Sequence, residues 1–175
     1  MTETLFLESS RQKHAALYEE LDKGLQAAPE ATWQRALSDN GKTTGQIVRH
    51  LLVTIQAHEP HLRDVLKRAG PAQGKPVGNG LLARFILIGL AQPSVPAIKQ
   101  LTVNDAIAGD AALKDWKEVD RLTNELFDLA TGKALGEPRY RNPIVPLFRF
   151  SAADALSVFV AHLGYHAAQL RRRLT

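Results

Sequence analysis

The chain has 175 residues, a formal net charge of +4 and no cysteine. That length suits one domain spanning residues 1–175, and the lack of thiols excludes disulfides, cysteine-ligated zinc, iron–sulfur clusters and a cysteine nucleophile. Any metal must rest on imidazole and carboxylate.

The first predicted helix runs from Thr4 to Gln26, with Leu7, His14, Leu21 and Leu25 on one face, joined by Tyr18, and Pro29 beyond its end. The second begins at Thr43 or Thr44. There Thr43 and Gln46 have the spacing of a capping box, in which hydroxyl and amide satisfy free backbone N–H groups. It continues toward Ala69, where Gly70-Pro71 stops it, and Pro60 should kink or split it. Residues 70–80 form a turn-rich loop, and Leu81 to Ala91 a short apolar helix. Residues 92–110 should be mostly irregular. A helix from Ala111 to Ala130 follows, with Asp110 as its cap. Residues 136–150 hold three prolines and are expected as loop. The last helix starts at Ser151, with Asp154 three residues on, and carries Leu156, Phe159, Val160, Leu163, Leu170 and Leu174 as its apolar stripe. No run has the alternation of a strand. The pattern predicts an all-α, four-helix bundle with an extra short helix and long loops.

The longest apolar stretch, Leu81 to Ala91, contains Arg84 and falls short of the ~20 residues a bilayer needs. The acidic start, Met1-Thr-Glu3-Thr, is unlike a secretory signal. A cytoplasmic protein is the expectation, with no membrane partner. The predicted pI is 9.5. The one dense basic run, Arg171-Arg-Arg173, ends a helix and complements its dipole there, without the spread of basic and aromatic residues that nucleic acid requires.

Six histidines occur: His14, His50, His58, His61, His162 and His166. His162 and His166 are four apart on the last helix, which sets both imidazoles on one face at a separation that can chelate an ion. The same spacing also suits a polar pair at the edge of a core. A metal needs a further ligand from another helix, and His50, at the margin of an apolar face on the second helix, is the best candidate. His61 shares the azimuth of His50 but lies about 16 Å along the axis, so the two cannot serve one ion. His58 and His61 read as an exposed pair beside the Pro60 break. His14 lies on the core stripe of the first helix. It is a hydrogen-bonded core histidine, a group supporting a ligand, or a fourth ligand.

Two stretches resemble the DinB/YfiT-like proteins: Thr44-Gly-Gln-Ile-Val-Arg-His50-Leu51, and His162-Leu-Gly-Tyr-His166-Ala-Ala-Gln169-Leu170. Trp33 falls where such proteins often carry tryptophan, and residues 142–151 resemble the proline-containing entry to the last helix in one branch of that family, with Asn142 where the branch tends to have histidine. The resemblance implies an up-down-down-up four-helix bundle, a divalent metal, zinc or nickel, on His50, His162 and His166, and a homodimer. It also implies a metal-dependent thiol transferase, isomerase or hydrolase acting on a small molecule with a low-molecular-weight thiol. The alternative is a non-catalytic metal-binding, stress-related or interaction protein.

Three imidazoles leave one coordination position open, which the chemistry of zinc and nickel permits for water or thiolate. Gln169, one turn beyond His166, can orient an imidazole or bridge helices, and Glu59 is a weak candidate proton acceptor. Any pocket should be walled partly by the irregular segments 70–110 and 136–150.

Overall fold

The computed structural model describes residues 1–37, 41–91 and 101–175. Helices dominate: α1 (Glu3–Gln26), α2 (Glu30–Trp33), α3 (Thr44–Arg68), α4 (Leu81–Leu90), α5 (Gly109–Ala130) and α6 (Ala152–Leu174). The two-residue strands β1 (Tyr140–Arg141) and β2 (Arg149–Phe150) pair antiparallel, Tyr140 opposite Phe150. The expectation of an all-α chain holds apart from this short ladder inside the 136–150 loop. Two residues per strand are too few for any alternation to show. The irregularity expected of 92–110 is seen over 101–108, and residues 92–100 lie outside the described ones.

The four long helices share one core. α3 packs against α5 and α6, α1 against α6 and α5, and α4 lies along α6. Ile47, Val48, Leu62 and Leu66 of α3, Trp116, Leu126 and Phe127 of α5, and Leu156 and Leu170 of α6 are buried in it. The stripe expected on α1 is buried too, at Leu7, His14, Leu21 and Leu25. Among the described residues no helix is long and apolar enough to cross a membrane.

Both capping boxes form. Thr43 Oγ1 accepts from the Gln46 amide at 3.2 Å while the Thr43 amide donates to Gln46 Oε1 at 2.9 Å. Ser151 Oγ accepts from the Asp154 amide at 3.1 Å, and the Ser151 amide donates to Asp154 Oδ2 at 2.9 Å. Asp154 Oδ1 also accepts from the Gly80 amide at 2.7 Å, tying the start of α4 to that of α6. These caps set where α3 and α6 begin, and so the phase at which each presents its histidines.

Two expectations need correction. Pro60 does not split α3, which runs unbroken through it. Pro60 and Gln56 are both exposed, so the Gln56 carbonyl that loses its backbone bond lies on the solvent side of the helix. α5 starts at Gly109 with Asp110 inside its first turn, and the Glu30 carboxylate accepts from the Gly109 amide at 3.1 Å instead. That bond comes from α2, a single turn too short to announce itself by periodicity. Gly109 has to be glycine, because a Cβ there would stand 2.5 Å from Trp33 Cδ1. Gly45 meets the same constraint against the Ile107 carbonyl, at 2.6 Å. Residues 107–109 are thereby pressed onto the first turn of α3 and the buried Trp33.

Candidate metal centre

His50 enters from α3, two turns after the capping box, and His162 and His166 from α6. All three are buried. The Nε2 atoms of His50 and His162 are 3.1 Å apart, and those of His166 and His162 3.0 Å. The three ligand atoms lie within 4.8 Å of one another, so the cluster can hold a metal ion.

The outer nitrogens decide which lone pairs face inward. His50 Nδ1 lies 2.7 Å from the Leu101 carbonyl. A carbonyl only accepts, so His50 carries its proton on Nδ1 and presents a bare Nε2. His166 Nδ1 donates likewise to Gln169 Oε1, at 2.7 Å, which leaves its Nε2 bare. A proton on His162 Nε2 can serve only one of its two neighbours, so at least one contact sets lone pair against lone pair. Such convergence suits a cation between the nitrogens.

Burial holds all three imidazoles neutral: it takes His50 down to about 4 and His166 down to about 3, and depresses His162 well below the ordinary value. Cations add to the effect, since Lys42 acts on all three and Arg173 on His166. A tetrahedral ion with bonds of about 2.0–2.1 Å sets its nitrogens about 3.3–3.4 Å apart. The spacings of His162 to His50 and to His166, 3.1 and 3.0 Å, need to open by only a few tenths of an ångström. The donor set therefore fits a divalent ion.

The remaining candidates separate. His14 is a buried histidine held by Asp120, Nε2 to Oδ1 at 3.0 Å, and Asn124 donates to the same oxygen at 2.9 Å. It is not a ligand, but it shares with His162 a cavity of about 10 Å3, lined also by Thr123, Val119, Leu51 and Phe159. That is room for about one water. The walls of this cavity are helices, whereas Leu101, from the segment 70–110, reaches the triad itself through its carbonyl on His50.

Glu59 is ion-paired with Arg63, which reaches Glu125 at 2.5 Å, and takes no part in the triad. His61 is exposed, its ring parallel to that of Tyr140. His58 departs from the expectation of exposure. It is 2% exposed, and its Nδ1 lies 2.8 Å from the Tyr140 hydroxyl, between Phe150 and Phe159. The ladder of β1 and β2 covers it. Asn142 shapes that hairpin: its Oδ1 accepts from the amides of Ile144 and Val145 at 2.8 and 2.9 Å.

Two contributors to the site escaped the sequence reading. The Leu101 carbonyl is backbone and leaves no side-chain signature. Arg173 belongs to the basic run expected to complement the α6 dipole, but it is also 1% exposed and donates to the carbonyls of Gln169 at 2.9 Å and Lys42 at 3.0 Å. Arg171 of that run forms an ion pair with Glu20 at the surface. Comparison of the chain with protein-family models, with curated proteins and with solved structures finds no match.

Proposed function

We propose that the chain is a metal-dependent protein of the DinB/YfiT-like kind, a four-helix bundle that binds one zinc or nickel ion at His50, His162 and His166. The convergence of three buried Nε2 atoms, two of them stripped of protons by Leu101 and Gln169, carries this reading. Such an ion supplies Lewis acidity at an open fourth position, where a small thiol or water can be activated. The chain's own residues do the rest. Leu101 and Gln169 hold the imidazole planes, and Lys42 and Arg173 keep the field positive, which favours an anionic partner such as a thiolate over a neutral one. Transfer of that thiol to an electrophilic small molecule is the reaction class we assign.

A second reading, a metal-binding protein without turnover, is favoured by one observation: the cavity bordering His162 has room for about one water. Elemental analysis of protein purified without a histidine tag tests the shared part. One equivalent of zinc or nickel, lost in His166→Ala, is expected; a metal-free protein that takes up neither ion refutes both readings. Incubation of loaded protein with small thiols and electrophiles then separates them, because turnover abolished by His166→Ala is expected of the transferase alone.

A further inference from the structure

Away from the histidines, the start of α1 and the turn after α5 enclose a second cavity, of about 240 Å3. Glu3 stands in its wall with a side chain 5% exposed, and Glu3 Oε2 has no hydrogen-bond partner. Buried carboxylate oxygens are almost always partnered, so an orphan beside an empty volume marks a place where something else completes the bonding. Glu3 lies in the first turn of α1.

The neighbours define what fits. Glu8 adds a second carboxylate, while Leu7, Ala72 and Ala130 supply apolar wall. Two cations also reach the cavity. Arg11 is engaged with Asp128 at 2.8 Å, and Lys133 forms no ion pair among the described residues. The segment before Glu3 is held elsewhere, with Thr2 paired to Pro76 and the Met1 carbonyl accepting from the Val77 amide at 2.9 Å. We infer that this cavity is a binding site for a small primary alkylammonium, its N–H donors on Glu3 and its short chain against Leu7, Ala72 and Ala130. The inference is independent of the metal centre.

The test is an amide-resolved NMR titration of the full chain with n-butylammonium chloride, beside sodium butyrate at matched ionic strength. Saturable shifts at residues 3–11 and 130–133 are expected with the ammonium and not with butyrate. Glu3→Gln should weaken binding by about tenfold or more, since a hydrogen bond to a charged group is lost. Lys133→Met should leave affinity equal or tighter, because it removes an internal competitor for the carboxylate. Glu3→Gln should also melt at or above the wild-type temperature, as an unpaired charge has been removed from the interior. No ammonium binding at millimolar concentration, a preference for butyrate, loss of affinity in Lys133→Met, or a Glu3→Gln protein that unfolds earlier would each overturn the assignment.

Discussion

Replacing His58 with glutamine should flatten the acid side of the stability curve. His58 is 2% exposed, with Phe150 parallel to its ring at 5.6 Å and Phe159 edge-on at 5.7 Å. Burial first, and the neighbouring charge of His61 second, lower its pKa from 6.5 to about 4. Above pH 6.5 the imidazole is neutral in both folded and unfolded chains, and its contribution is fully present. Between the two values the unfolded chain takes up a proton that the folded chain refuses, so stability falls with pH. Below about 4 both states are protonated and the loss is complete. The difference of 6.5 − 4 corresponds to about 3 kcal/mol, with a limiting slope of about 1.4 kcal/mol per pH unit.

Glutamine keeps a hydrogen-bonding group near the Tyr140 hydroxyl but cannot titrate. Urea unfolding of metal-free wild type and His58→Gln, from neutral pH to about pH 5, measures the difference in slope. The triad titrates in both proteins and cancels, being separate from the substitution. Wild type should lose roughly 1 kcal/mol more per pH unit than the variant. Parallel curves would refute the reasoning, because they would mean that folded His58 takes up its proton as readily as an exposed imidazole.

Gln169→Leu should weaken ion binding by roughly 10–100-fold, as loss of an outer hydrogen bond to a ligand imidazole does; chelator competition measures it, and unchanged affinity would show that His166 does not depend on its Nδ1 partner. Zinc or nickel at about a thousand times its dissociation constant should stabilise wild type by about 4 kcal/mol and His166→Ala far less, read as a melting-temperature shift. The double variant His58→Ala, His61→Ala should retain its metal by elemental analysis, since neither belongs to the cluster. Gly109→Ala should destabilise the fold by about 1–3 kcal/mol in denaturant, because its Cβ would meet Trp33; a neutral effect would mean that the segment over α3 yields freely.

What could be read in advance was whatever depends on local spacing. The capping boxes at Thr43 and Ser151 are four-residue signatures, and the histidines at positions 162 and 166 share a face by helical geometry alone. His50 followed because it sits at the margin of an apolar stripe. The misreadings concern residues whose setting is decided by distant chain. His58 was placed outside because Pro60 suggested a break, whereas its cover, Tyr140, comes from 82 residues away. Arg173 is drawn inward by the carbonyl of Lys42, 131 residues earlier. α2 and the ladder of β1 and β2 are shorter than the period that would reveal them.

The separation of His50 and His162 by 112 positions gives the triad a topological meaning as well as a chemical one. An ion held by both is a cross-link between distant points of a chain that has no thiols with which to make one. Closing a loop of about a hundred residues removes conformational freedom from the unfolded ensemble worth up to about 4–5 kcal/mol in the chain-entropy picture. Such a link would be reversible, however, and would answer to metal supply and acidity instead of redox potential. It would form only once both helices have docked, because His50 and the α6 pair lie on different helices. Metal withdrawal would therefore act first on the seam between α3 and α6, letting those helices separate while their own hydrogen bonds persist.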